Sequence, residues 1–161
     1  MVNNDFGDLD LNKFVNIAIK EAPCLTNEFI EKIIQKIPWL IKEIPYPPES
    51  IKLLCVKSNG YAVSYIKDPS EEVQLAAVKD SPLAIVGIKN PTEAVQLFAV
   101  NKNGLAIQHI ENPSEAVQLT AIKKDINAWR YISNPAEKVK EIYQEYYKDK
   151  VALIRAAGFR K

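Results

Sequence analysis

The chain predicts an all-α fold, an α-solenoid of short two-helix repeats with helical caps at both ends. Three observations carry that expectation. Pro47, Pro69, Pro91, Pro113 and Pro135 stand 22 residues apart; each opens a copy of one pattern; and within each copy apolar residues recur at helical spacing. A fixed short period marks an array in which each unit contacts its neighbours, and such arrays generally present an extended binding surface. The copies are PPESIKLLCVKSNGYAVSYIKD from 47, PSEEVQLAAVKDSPLAIVGIKN from 69, PTEAVQLFAVNKNGLAIQHIEN from 91, PSEAVQLTAIKKDINAWRYISN from 113, and a shorter PAEKVKEIYQEYYKDK from 135. Upstream, LTNEFIEKIIQKIPWLIKEIPY from 25 aligns Phe29 with Val73, Pro38 with Pro82, and Ile41 and Ile44 with Ile85 and Ile88. The expected organisation is one domain over 1–161: a cap at 1–24, a degenerate repeat at 25–46, four regular repeats over 47–134, and a degenerate repeat with a cap at 135–161.

The first helix of each copy has an expected start. Asp68, Asn90, Asn112 and Asn134 precede the prolines, and Glu71, Glu93, Glu115 and Glu137 follow two residues after them. Asx as N-cap, proline at the first helical position and glutamate in the first turn form a start signal, because the Asx oxygen accepts orphan amides and the carboxylate faces the positive end of the helix dipole. Val73, Leu75, Ala77 and Val78, with their counterparts in the next two copies, form a broad apolar stripe suited to a helix touched on two sides. Asn59-Gly60 and Asn103-Gly104 are the expected stops, through a left-handed residue. A second helix of about two turns follows, with Ala62, Val63 and Ile66, then Ala84, Ile85 and Ile88, then Ala106, Ile107 and Ile110 facing inward. After Pro135 no Gly or Pro occurs until Gly158, which predicts one long or two abutting helices. At the other end, Phe14, Ile17 and Ala18 in LDLNKFVNIAIKEA predict a helical lid.

Composition fits a water-soluble domain: 161 residues, 47% hydrophobic and 25% charged. No basic region followed by an apolar run opens the chain, and no stretch has the length of a membrane span, so neither a secretory leader nor a membrane is expected. Cys24 and Cys55 fit neither a disulfide framework nor a zinc site, and Cys55 takes the slot of Ala77, Ala99 and Ala121, which predicts a buried reduced thiol. A cytoplasmic setting follows, or the host cytoplasm for a viral protein. Net charge is −2 over residues 1–46, 0 over 47–134 and +3 over 135–161. Repeats that grip phosphates generally carry a basic face, and the regular repeats have none. The basic residues of the last segment, Lys148, Lys150, Arg155, Arg160 and Lys161, also suit the dipole at a helix C-terminus.

Catalytic chemistry finds no constellation. The chain has one histidine, no Gly-rich phosphate loop, no metal-ligand spacing and no nucleophile–base set, so no catalytic residue, metal or cofactor is expected. What varies between copies points to a binding surface. The fifteenth position holds Tyr61, Leu83, Leu105 and Asn127; the eighteenth Ser64, Val86, Gln108 and Arg130; the nineteenth Tyr65, Gly87, His109 and Tyr131. All lie on the second helix, off its inward face, and stacking would align them. Tyr61, Tyr65, Gln108, His109, Arg130 and Tyr131 are the candidate partner-binding residues, since Tyr and Arg are enriched at binding hot spots. The competing reading packs the aromatics between adjacent second helices. A second row, Gln74, Gln96 and Gln118 with Lys52 and Lys140, reads as a structural hydrogen-bond ladder on the first helices.

VKSNGYAVSYI at 56–66 and VNKNGLAIQHI at 100–110, with NPSEAVQL between repeats, resemble the short two-helix repeats of unknown function scattered through phage, large-virus and bacterial proteins. The N-P-S-E-x-V element is similar to the leucine-rich-variant repeat, whose units alternate an α-helix with a shorter 3₁₀ helix. The resemblance covers about 47–134. It implies a fold and no catalytic residues, and the cysteine cluster of some leucine-rich-variant proteins has no counterpart here, so no iron–sulfur centre is implied. The leading expectation is a non-enzymatic scaffold binding a protein partner; a phage or viral origin would make it an inhibitor or adaptor. The rival is an RNA or single-stranded DNA binder whose aromatic stripe stacks on bases.

Overall fold

The computed structural model describes residues 27–44 and 46–156, and over them the chain is helical with no strand. The proposed lid at 1–24, with Cys24, Phe14, Ile17 and Ala18, and the basic residues Arg160 and Lys161 lie outside the described residues. Five α-helices alternate with five 3₁₀ helices, and a sixth α-helix follows. They are α1 Asn27–Lys36, η1 Pro38–Glu43, α2 Glu49–Ser58, η2 Gly60–Tyr65, α3 Glu71–Asp80 and η3 Pro82–Gly87; then α4 Glu93–Lys102, η4 Gly104–His109, α5 Glu115–Lys124, η5 Ile126–Tyr131 and α6 Glu137–Ala156. Each short helix has six residues, two turns at three residues per turn. The described part of the region after Pro135 forms one helix.

The helices pack in neighbouring pairs. Each α-helix from α1 to α5 contacts the next α-helix, each 3₁₀ helix contacts the next, and each of α3, α4 and α5 also touches the 3₁₀ helices before and after it. The core runs between the two kinds of helix. Val73, Ala77 and Val78 are buried, as are Val95, Ala99 and Val100 and Val117, Ala121 and Ile122; from the 3₁₀ side come Ala62, Val63 and Ile66, Ala84, Ile85 and Ile88, and Ala106, Ile107 and Ile110. The leucines at the seventh position depart from expectation. Leu53, Leu75, Leu97 and Leu119 are only half-buried, and Leu53 and Leu75 wall a shallow cleft of about 460 Å³ between α2 and α3.

Both helix-boundary expectations need correction. The N-cap is the residue after the proline: the hydroxyls of Ser70, Thr92 and Ser114 accept from the amides of Val73, Val95 and Val117 at 3.2, 3.4 and 3.4 Å. A hydroxyl in extended backbone can reach the third helical amide, whereas an Asx two residues earlier cannot. Asp68 and Asn112 turn the chain instead, at φ 48° and 49°, a conformation that short polar side chains tolerate. The α-helices do not end on a left-handed glycine either. Asn59, Ser81, Asn103 and Asp125 follow them in extended backbone, φ −138° to −159°. From there Asn59, Asn103 and Asp125 cap the 3₁₀ helices, their side-chain oxygens accepting from Tyr61, Leu105 and Asn127 at 3.0, 3.0 and 2.9 Å.

Polar contacts also tie consecutive pairs. The Gly60 amide donates to Asp80 of the next α-helix at 2.7 Å, and the capping hydroxyls of Ser70 and Ser114 donate to Glu49 and Glu93 of the preceding one. Ser70 and Ser114 therefore each satisfy their own helix and link it to its neighbour.

Candidate binding surface

The six residues singled out from the sequence all sit on 3₁₀ helices and all reach solvent: Tyr61 and Tyr65 on η2, Gln108 and His109 on η4, Arg130 and Tyr131 on η5. The helix geometry explains this. With three residues per turn, Tyr61 and Ser64 share the side left free by the buried Ala62 and Val63, and Tyr65, the last residue of η2, is exposed at the helix end. Tyr61, Tyr65 and Tyr131 keep 45%, 49% and 46% of their surface. About half of each ring residue's surface thus reaches solvent.

Two residues change the outline of the surface. Gly87 breaks the row between Tyr65 and His109, since a Cβ there would lie 2.9 Å from the Ser64 Cβ on η2. The absence of a side chain at that position reflects close approach of η2 and η3, not a free edge. Trp39 on η1, 46% exposed, adds an exposed ring to the row of Tyr61. Aligning Pro38 with Pro82 in the sequence puts Trp39 at the fifteenth position, with Tyr61 and Leu83.

The electrostatics of the middle of this surface are simple. From η2 through η4, the outward positions carry Tyr61, Ser64, Tyr65, Leu83, Val86, Leu105, Gln108 and His109, without a carboxylate, lysine or arginine. Val86 is exposed. Toward η5 the surface becomes polar, where Gln108 and Tyr131 share an open cleft of about 540 Å³ with Glu111, Asn112 and Asn134. Tyr61 and Tyr65 lie outside that cleft. Among the described residues, no three His, Cys, Asp or Glu side chains gather as a metal site would need, and no helix is long and apolar enough to cross a membrane.

The glutamine row is structural. Gln74, Gln96 and Gln118 each donate through Nε2 to the proline carbonyl five residues earlier, Pro69, Pro91 and Pro113, at 3.0, 2.9 and 3.0 Å. They fasten the turn ahead of each helix to the helix itself.

Cys55 is fully buried, a free thiol donating to the Pro38 carbonyl at 2.9 Å. Burial pushes its pKa from 9.0 up to about 12, because the thiolate would lose its water. The folded state therefore holds a proton that the unfolded state releases above about pH 9. Stability from this group is complete below that pH and declines by about 1.4 kcal/mol per unit as pH rises toward 12. Cys55→Ala, which installs the residue of the equivalent slots, is expected to remove that decline. Urea denaturation of both proteins at about pH 8 and about pH 10 checks this: equal losses for the two would remove Cys55 as the cause.

Comparison of the chain with protein-family models gave no match. Comparisons with curated proteins and with solved structures gave none either. The functional reading rests on the residues and their arrangement.

Proposed function

We propose that this chain is a non-enzymatic α-solenoid of 22-residue two-helix units that binds a protein partner through the outward face of its 3₁₀ helices. The observation that carries the reading is the set of half-exposed aromatic rings on the 3₁₀ helices, Trp39 on η1, Tyr61 and Tyr65 on the adjoining η2, and Tyr131 on η5. Large rings with few rotatable bonds lose little entropy on docking and bury much area. The uncharged middle suits a partner surface that is itself apolar, and the polar cleft beside Tyr131 suits hydrogen-bond recognition at one end. The resemblance to phage, viral and bacterial two-helix repeats belongs to the same reading, and with it the inhibitor or adaptor role in a cell or host cytoplasm.

Affinity purification from the native host, with and without nuclease, identifies the partner, and variants then map the contact. Tyr65→Ala and Tyr131→Ala are each expected to weaken the complex by about 2 kcal/mol, roughly thirtyfold in Kd, with the melting temperature unchanged. Unaltered affinity in both variants would remove the face from the proposal, and unfolding would assign the rings to the core. A nuclease-sensitive capture that weakens steeply with salt would favour the alternative, in which the same rings stack on bases of a single strand.

A further inference from the structure

α6 has twenty residues where each preceding α-helix has ten, and among the described residues its first part is the part packed on the core. Val139 is buried and Ile142 half-buried against the core. Beyond them an aromatic ladder climbs the helix: Trp129 of η5 stacks on Tyr143 with ring centroids 4.1 Å apart, and Tyr143 meets Tyr147 at 4.7 Å. Tyr143, Tyr147 and Val151, spaced four apart, lie on one side of the helix and line an open groove of about 510 Å³ with Gln144, Lys148 and Ala152. No other described residue lines it, and Tyr147 and Val151 each remain 43% exposed. The ladder fixes the rings before anything binds, which lowers the entropy cost of covering them.

The charge pattern selects the occupant. In the first half of α6, Glu137, Glu141 and Glu145 outnumber Lys138 and Lys140; in the second half, Lys148, Lys150 and Arg155 outnumber Asp149. The halves therefore carry net −1 and +2. Glu141 and Lys148 stand seven apart, two turns of helix, and so share one edge beside the Tyr143–Tyr147–Val151 stripe. A parallel partner of the same sequence would set basic half against basic half. An antiparallel one sets each basic half against an acidic half and brings Glu141 of each copy to the edge that holds Lys148 of the other.

We propose that α6 pairs antiparallel with α6 of a second copy of this chain, its stripe forming the apolar seam of a two-fold dimer. The contact is isologous, so it closes at two copies. The stripe adjoins η5 through Trp129 and lies on a different helix from Tyr61 and Tyr65, and sedimentation reads it separately from the partner-binding variants.

Sedimentation velocity from micromolar to hundreds of micromolar protein is the test. The wild type is expected to sediment as a dimer, twice the 18.1 kDa chain mass. Val151→Asp, at an exposed site, is expected to give a monomer with unchanged circular dichroism. Lys148→Glu removes two symmetry-related pairs and is expected to weaken the dimer about fivefold; adding Glu141→Lys reverses both signs and should restore it. A monomeric wild type at every concentration overturns the proposal, as it would if other residues of the same chain cover the stripe. So does a dimer that survives Val151→Asp, or a double charge variant no tighter than Lys148→Glu alone.

Discussion

Gly60→Ala is expected to lower the unfolding free energy by about 2–3 kcal/mol, although it replaces glycine with the smallest chiral residue and no left-handed backbone is involved. An added Cβ at Gly60 would stand 2.4 Å from the carbonyl oxygen of Ala77, and at Gly104 2.6 Å from that of Ala121. The obstacle in each case is the backbone of the next α-helix, which cannot rotate aside as a side chain can. Pro38 and Pro82 occupy the same repeat position in η1 and η3, and the structure accommodates them differently. The η1–η2 and η3–η4 contacts, which follow the prolines, are sparser than the η2–η3 and η4–η5 contacts that follow Gly60 and Gly104. The denser 3₁₀ contacts thus follow a glycine at this position and the sparser ones a proline. Gly60→Ala should push η2 away from α3, breaking the 2.7 Å bond from the Gly60 amide to Asp80 and loosening the close contact of Gly87 with Ser64. Guanidinium denaturation of Gly60→Ala and Gly104→Ala measures the loss. A change below about 0.5 kcal/mol in both, the range of an ordinary surface substitution, would show that the stack yields without cost.

Much of this architecture was readable before any coordinates. The proline period and the Val–Ala–Val and Ala–Ile–Ile sets placed the elements from α2 to η5 and nearly all of their core, because burial on a repeated face leaves a repeated apolar trace; α1 and η1 followed from aligning Pro38 with Pro82 in a copy that lacks the opening proline. The boundary chemistry was harder to read. In D-P-S-E and N-P-S-E both the Asx and the Ser are good caps, and which of them serves depends on the backbone path after the proline, which composition does not encode. The same ambiguity hid the role of Asn59 and Asn103: they close one helix in space but cap the next. Gly60 and Gly104 read as turn formers, since glycine signals both conformational freedom and lack of volume, and only the neighbouring carbonyl distinguishes the two. Position in the repeat sufficed to expose Tyr61, Tyr65, Gln108, His109, Arg130 and Tyr131, and would have added Trp39 had the upstream copy been carried to its fifteenth residue. The stripe on α6 could not be found that way. Tyr143 falls in the slot that holds a buried alanine in three earlier copies, so the repeat pattern argued for an interior residue, whereas the ring turns to stack on Trp129.

Gln118→Leu is expected to cost about 3 kcal/mol, more than the same change at Gln96, although both glutamines belong to one row and make the same bond to a preceding proline carbonyl. Gln118 lies 7% exposed and does more. Its Nε2 also reaches the Asn134 carbonyl at 3.3 Å, and its Oε1 accepts from the Ala136 amide at 2.9 Å, so one side chain clamps the turn that leads into α6. Leucine fills a similar volume but leaves the Ala136 amide and the Asn134 carbonyl without these partners, and an orphaned polar group costs about 1–3 kcal/mol. Gln96 is less buried and its loss forfeits the one bond to Pro91, worth about 1 kcal/mol. Gln74 provides the internal comparison, since its buried Oε1 lacks a protein partner among the described residues and Gln74→Leu relieves that atom while losing the bond to Pro69. The expected order of destabilisation is Gln118, then Gln96, then Gln74, measured by urea denaturation with the slope held common. Hydrogen exchange separates clamp from filler: Gln118→Leu should speed exchange of the Ala136 and Val139 amides at the start of α6 while leaving those of α3 protected. Equal costs at all three positions would mean that the row acts through its aliphatic carbons, and that α6 is held to the stack by Val139, Ile142 and the Trp129–Tyr143 stack alone.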